Sequence, residues 1–233
     1  RDHVIIDVLS DFDQLAQSGK EVIVAGRVMA LRNMGGMVFI DINDGGGKLQ
    51  SLIKEDSIGK ELFDKFSSFI DIGDFIEVKG VLFKTKREEK TIEVKDFKLL
   101  SKALLPLPEK WHGLQDTEER LRKRYLDLIF NPESRQIIEK RAVFWNAVRE
   151  FHIQNGFLEV ETPVLETTVG GADATPFKTH HNALDLDVYL RISAGELWQK
   201  RLMIAGFEKT FEIGRIFRNE GMSAEHLQDY SQC

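Results

Sequence analysis

Arg218 and Glu220, two positions apart in the run Phe217-Arg218-Asn219-Glu220-Gly221, are the residues of this chain best placed by type and spacing to hold a charged ligand. In extended backbone, residues i and i+2 lie on the same face, so both side chains address one object. The guanidinium of Arg218 is a planar fork of donors suited to a phosphate or carboxylate. Glu220 offers only acceptors, which suits an amine such as the amino group of adenine. On spacing alone the same two residues also read as a surface ion pair, whose energetic worth would be small. The neighbouring letters decide between the two.

The elements that must position this pair come from a chain written in two grammars. A strand over residues 210–216 leads into the run, and a short helix near 196–205 precedes that strand. Further upstream, Asn131 and Pro132 start a helix that reaches about Gln154, with Ile137, Phe144, Val148 and Phe151 on one face. Asn155 and Gly156 end it. Residues 157–165 then read as a strand containing Pro163, which lacks a ladder donor and so belongs at a sheet edge or an interface. Residues 116–128 form a charged amphipathic helix.

Before Pro106 and Pro108 the pattern has period two. Val22 and Val24 alternate with Ile23 and Ala25, and Met37, Phe39 and Asp41 alternate with Val38, Ile40 and Ile42. Strands are expected at 48–53, 75–83 and 91–99, with a helix near 57–69 between the third and fourth strands. That order is the order of an OB-type Greek-key barrel, a fold that often holds single-stranded nucleic acid; an SH3-like barrel is the competing architecture. Gly45, Gly46 and Gly47 before Lys48 form a hairpin and not a P-loop, because Leu49 follows the lysine and a strand begins there. The charged run 84–90 is a hairpin tip that also lies beside any strand bound to the barrel. The boundary between the two grammars falls between Leu100 and Leu114.

Composition bounds the remaining possibilities. The chain has 233 residues, 42% of them hydrophobic and 30% charged, enough for one or two folded domains. No apolar run approaches about 18 residues, so a cytoplasmic protein without a membrane partner is expected. Cys233 is the single cysteine, which excludes an internal disulfide framework and a cysteine-rich zinc site. The net charge of −6 argues against a surface that coats polyanions generally, while leaving room for RNA at a local basic patch. A first residue other than Met and an end within a polar loop suggest a piece of a longer protein.

With these residues in view, the chain resembles class II lysyl-tRNA synthetases of the bacterial type over nearly its whole length. Residues 102–129 carry Leu-Pro-Glu-Lys, His-Gly-Leu-Gln-Asp and Arg-Tyr-Leu-Asp-Leu-Ile. Gly156, Phe157 and the residues to Pro163 are similar to motif 1, which in that family builds a homodimer interface. Residues 176–191, with His180, His181, Asn182, Ala183 and Leu184, fit the lysyl branch, and residues 217–233 look like the first part of motif 2. The resemblance implies an OB anticodon-binding domain over 1–104 and the first part of an α+β class II catalytic domain, an incomplete antiparallel sheet, over 105–233.

It also implies roles. Arg218 matches the catalytic arginine that holds the α-phosphate of ATP and the carboxylate of lysine. Glu220 matches the acid that accepts from the adenine amino group. His226 falls in the ATP set, and Tyr230 stands where the family usually stacks phenylalanine on adenine. Glu196 resembles the acid that meets the ammonium of lysine, and Gly171 a glycine beside it. Arg32, Phe39, Gln50 and Glu89 match anticodon contacts, whereas without the resemblance Phe39 reads as core, because an aromatic in an alternating strand usually packs inward. The family's Ala-Pro-Glu-Leu is Ser193-Ala194-Gly195-Glu196-Leu197 here, one residue longer, and its Asn-Pro-Glu-Phe is Leu227-Gln228-Asp229-Tyr230.

The implied reaction joins lysine to tRNA(Lys) at the expense of ATP, with magnesium held by residues beyond 233 and no metal ligand within the chain. On that reading this chain alone is catalytically incomplete. Aspartyl- and asparaginyl-tRNA synthetases share the architecture, but their substrates would not be drawn to Glu196. A non-catalytic RNA-binding OB module with a dimerisation segment is the reading from a different class.

Overall fold

The structure is a computed structural model that describes residues 1–108, 114–223 and 225–233. Residues 109–113 of the family-like stretch lie outside the described residues. The chain divides into two compact units, residues 1–130 and 131–233. Among the described residues no helix is long and apolar enough to cross a membrane.

The first unit opens with two short helices, α1 (Ile5–Ser10) and α2 (Phe12–Ser18), followed by β1 (Glu21–Asn33), β2 (Met37–Asn43) and β3 (Lys48–Lys54). After α3 (Glu55–Ile58) and α4 (Lys60–Phe69) come β4 (Phe75–Lys84) and β5 (Lys90–Ser101). The strands close into a barrel in the order β1-β2-β3-β5-β4, with β3 and β5 parallel and the other pairs antiparallel. That topology is the five-stranded OB barrel. The alternation seen in the sequence sets its interior: Val22, Val24, Val28, Val38, Ile40, Ile42, Ile76, Val78, Ile92 and Val94 are all buried. Phe63 and Phe66 of α4 plug the barrel, and Phe66 meets Phe97 edge to face at 4.9 Å.

Helices α1 and α2 were not legible in the strand pattern. Ile5, Val8 and Phe12 join the same core, and Asp44 in the β2–β3 turn holds α1 in place. Its carboxylate accepts from the N–H of Ile5 at 2.8 Å and from those of Gly46 and Gly47 at 2.9 and 3.0 Å. Gly47 is glycine for a steric reason: a Cβ there would lie 2.9 Å from a methyl of Ile5. The triple glycine is thus a hairpin that seats a helix. At the far end, the chain leaves the barrel through a clasp. Asp74, fully buried, accepts from Lys102 Nζ, Asp71 N and Ala103 N, each at 2.8 Å.

The expected helix at 116–128 is two helices, α5 (Thr117–Arg122) and α6 (Arg124–Phe130). Asp116 caps α5 through the N–H of Glu119 at 2.7 Å. The break at Lys123 lets Arg120 and Arg124 converge on the buried carboxylate of Asp127 at 2.7 and 2.9 Å.

The second unit begins with α7 (Pro132–Gln154), with Pro132 in its first turn as the sequence predicts. Gly156, at φ +80°, turns the chain out of the helix. The expected strand 157–165 is instead two short ones, β6 (Leu158–Glu159) and β7 (Leu165–Glu166), in different sheets. Pro163 has no N–H for a ladder, and Thr162 beside it turns into a buried polar cluster described below. β8 (Lys178–His181), a single 3₁₀ turn over Asn182–Leu184 and β9 (Leu186–Leu190) follow, with β7 and β8 flanking β9. Helix α8 (Glu196–Ile204) comes next. The expected strand 210–216 is likewise divided into β10 (Thr210–Phe211), parallel to β6, and β11 (Gly214–Phe217), which forms a hairpin with β12 (Asp229–Gln232).

Candidate functional site

Two separate groups of predicted residues come together, one in each unit. In the barrel, Arg32 lies opposite Phe39 across β1 and β2, and Asp41 lies opposite Gln50 across β2 and β3. Period two turns Val38 and Ile40 inward, so Phe39 faces outward and is half-buried. Arg32, Phe39, Gln50 and Glu89 line one groove of about 770 Å³, with Met34, Met37, Phe83 and the hairpin-tip residues Thr85, Lys86 and Arg87. Gln50 accepts a hydrogen bond from the Thr91 hydroxyl at 2.9 Å, which orients its amide. Four cationic side chains and two carboxylates line the groove, a positive balance on a chain of net charge −6. An apolar ring flanked by cations and an amide is suited to an unstacked base and its phosphates.

In the second unit, the β11–β12 hairpin carries the nucleotide candidates. The ladder continues one step past β11 through Arg218 N to Gln228 O at 2.8 Å, and the loop between the strands then folds back. Arg218, Glu220, His226 and Tyr230 line a cavity of about 410 Å³ with Gly221, Glu225 and Leu227. The guanidinium of Arg218 stands 5.6 Å above the Tyr230 ring, and its Nε donates to the carbonyl of Ile192 at 3.4 Å. Glu220 accepts from the backbone N–H of Thr175 at 3.2 Å, while Asn219 N donates to Thr175 O at 2.8 Å. His226 Nδ1 lies 2.8 Å from the Ser223 hydroxyl. Leu227, more than half exposed, brings an apolar side chain to the cavity wall.

Gly171 and Glu196 meet beside this hairpin and are not among the residues lining its cavity. Glu196 opens α8 and pairs with Lys200 one turn on at 2.9 Å. Gly171 has φ +89°, and a Cβ there would come within 2.8 Å of Glu196 Oε2 and closer still to the Ser193 hydroxyl. The loop before α8 is tied to β12 by Ala194 N donating to Gln232 Oε1 at 2.9 Å. Of the motif-1-like residues, Gly156 ends α7, the Phe157 ring packs on His152 at 5.3 Å, and Pro163 is exposed beside Trp198 and Arg201.

Behind the hairpin lies a cluster that no local pattern announced. Arg191, 2% exposed, donates to Glu212 at 2.5 Å, to the Thr162 hydroxyl at 3.0 Å and to the Arg215 carbonyl at 2.8 Å. Thr162 in turn donates to Glu212 at 2.6 Å. These partners stand 21 and 29 positions from Arg191, so only the fold brings them together. The cluster accounts for both broken strands, since Thr162 and Glu212 turn inward and Gly214 packs directly against the guanidinium. A buried charge so fully hydrogen-bonded fixes the floor from which Arg218 projects.

Comparison with known proteins finds two family matches. Residues 22–100 match the model of the OB-fold nucleic acid binding domain, and residues 116–233 match that of the tRNA synthetases class II (D, K and N). The chain belongs to the class II tRNA synthetases (D, K and N). Within this family it is similar to the lysine–tRNA ligase of Clostridium perfringens (strain SM101 / Type A), at 50% identity over 99% of this chain and 45% of that protein. The lysine–tRNA ligase of Thermoanaerobacter sp. (strain X514) is likewise 50% identical over 99% of the chain and 46% of its own length. That of Moorella thermoacetica (strain ATCC 39073 / JCM 9320) is 48% identical over 98% and 46%. The synthetase chain thus spans about half the length of the curated relatives it matches.

Proposed function

We propose that the chain is part of a lysine–tRNA ligase, in which residues 1–104 bind the anticodon of tRNA(Lys) and residues 105–233 supply the first part of the catalytic domain. The observation that carries this reading is the convergence of Arg32, Phe39, Gln50 and Glu89, drawn from three strands and a hairpin tip, on one groove. Phe39 stacks on a base, Arg32 and Gln50 meet the acceptors of a uracil edge, and Glu89 accepts from its ring N–H.

In the second unit Arg218 holds the α-phosphate of ATP and the lysine carboxylate together. The carboxylate attacks the α-phosphorus and pyrophosphate leaves; the terminal ribose hydroxyl of the tRNA then takes the lysyl group from the adenylate. Positioning and charge neutralisation supply the catalysis, with no covalent enzyme nucleophile. Glu220 accepts from the adenine amino group, Tyr230 stacks on the ring and His226 lines the ATP site. Glu196 pairs with the lysine ammonium, which Gly171 lets approach closely. Magnesium, implied for the phosphates, has no assigned ligand in this chain. The protein works in the cytoplasm as a homodimer through Gly156, Phe157 and Pro163 of the motif-1 segment. Support for the dimer comes from α7, which exposes Ile137, Phe144 and Phe151 and buries only Ser134.

The test is amino-acid-dependent ATP–pyrophosphate exchange by a protein carrying this chain. Exchange driven by lysine, and not by aspartate or asparagine, is expected. Exchange driven by either of the others would place the chain in another branch of its family.

A further inference from the structure

Asp41 is the one acidic side chain buried in the wall of the RNA groove, 5% exposed in a lining of otherwise accessible polar groups. It lies on the same face of β2 as Phe39 and directly opposite Gln50 on β3. Two cations reach it diagonally from the flanking strands: Arg32, which is opposite Phe39, and Lys48, which is opposite Asn43. Each stands 3.5 Å from a different carboxylate oxygen, and each remains more than half exposed along its own side chain. Diagonal neighbours on one sheet face are within reach of such long side chains.

A carboxylate taken out of water needs cationic or hydrogen-bonding partners, so it holds both heads close to itself. Long cationic side chains left unrestrained on a groove wall seek phosphates, which carry no sequence information. Held by Asp41, the two heads are instead kept beside a carboxylate that shares its sheet face with Phe39 and lies opposite Gln50.

We infer that Asp41 is a specificity-determining positioning residue of the RNA groove, which withholds Arg32 and Lys48 from phosphates and presents them to the bases. The inference rests on reading this groove as an anticodon site. It goes beyond that reading by separating discrimination from affinity: removing the carboxylate should impair the first without lowering the second.

The experiment is fluorescence anisotropy of this chain and its Asp41→Asn and Asp41→Glu variants with labelled stem-loops bearing UUU or GUC, repeated over a range of salt. Asp41→Asn should lose about tenfold of the UUU preference, the size of one charge-assisted hydrogen bond. The GUC loop should bind at least as well as to the parent chain. The salt dependence should steepen by about 0.7 logarithmic units for each cation released to a phosphate. Asp41→Glu, which keeps the charge, should restore the parent slope and part of the preference. Full discrimination by Asp41→Asn with an unchanged slope would overturn the proposal. So would an equal fall for both loops, which marks mere structural support. A parent chain that does not distinguish UUU from GUC would instead remove the anticodon reading, and this proposal with it.

Discussion

Arg218 shows how much of a side chain's use is written beside it and how much is not. Its pairing with Glu220 was legible because spacing and side-chain chemistry are local, and both residues do line one cavity. Its attachments were not legible, because they come from afar: Ile192 carries the carbonyl it donates to, and Thr175, 45 positions from Glu220, holds that carboxylate. The guanidinium stands over Tyr230 while donating edge-on to a carbonyl, a combination that a point-charge ammonium does not reproduce. In a protein carrying this chain, Arg218→Lys should therefore lower lysine-dependent pyrophosphate exchange by about 10²-fold, in the range of losing one oriented donor to developing charge. Exchange within a few-fold of the parent would show that charge alone suffices there. Phe39 teaches the complementary lesson. An aromatic in an alternating strand reads as core, yet the parity set by the buried Val38 and Ile40 turns it outward.

At the scale of elements, β1 and β4 were readable because their inward residues alternate without interruption. Helices α1 and α2 were not, since segments of six and seven residues have little helical stability of their own. They exist because Asp44 and Gly47 give α1 a seat and the core takes Ile5, Val8 and Phe12. The strands 157–165 and 210–216 failed as single elements for the opposite reason, that a buried polar cluster overrode their local pattern. The clasp that ends the barrel makes a prediction at this scale. Burial pulls the Asp74 carboxyl up, but Lys102 and the N–H groups of Asp71 and Ala103 outweigh it and hold it below the ordinary value of 3.8. A carboxyl depressed in the folded state adds stability above that value and loses it as pH falls through the folded one. Urea unfolding of the parent should thus lose stability more steeply on acidification below about pH 4 than that of Asp74→Asn, which should be the less stable of the two at neutral pH. Parallel profiles would show that Asp74 does not contribute through its charge.

At the scale of the whole molecule, α7 carries a run of exposed apolar residues. A helix of 23 residues that exposes Ile137, Val143, Phe144 and Phe151 has a face unsuited to water. The sequence showed Ile137, Phe144, Val148 and Phe151 on one face; what covers that face was not written there. If a second copy does, Phe144→Glu with Phe151→Glu should convert the dimer to monomer in sedimentation equilibrium, and a parent that is already monomeric would contradict the dimer proposal. We propose that this chain reads a lysine anticodon through its barrel, and the most direct measurement compares the affinity of the parent chain and Phe39→Ala for stem-loops bearing UUU and GUC. The parent should prefer UUU, and Phe39→Ala should lose about 1–3 kcal/mol of that binding, the worth of one base–aromatic stack. Equal affinity for the two loops, or a preference untouched by Phe39→Ala, would contradict it.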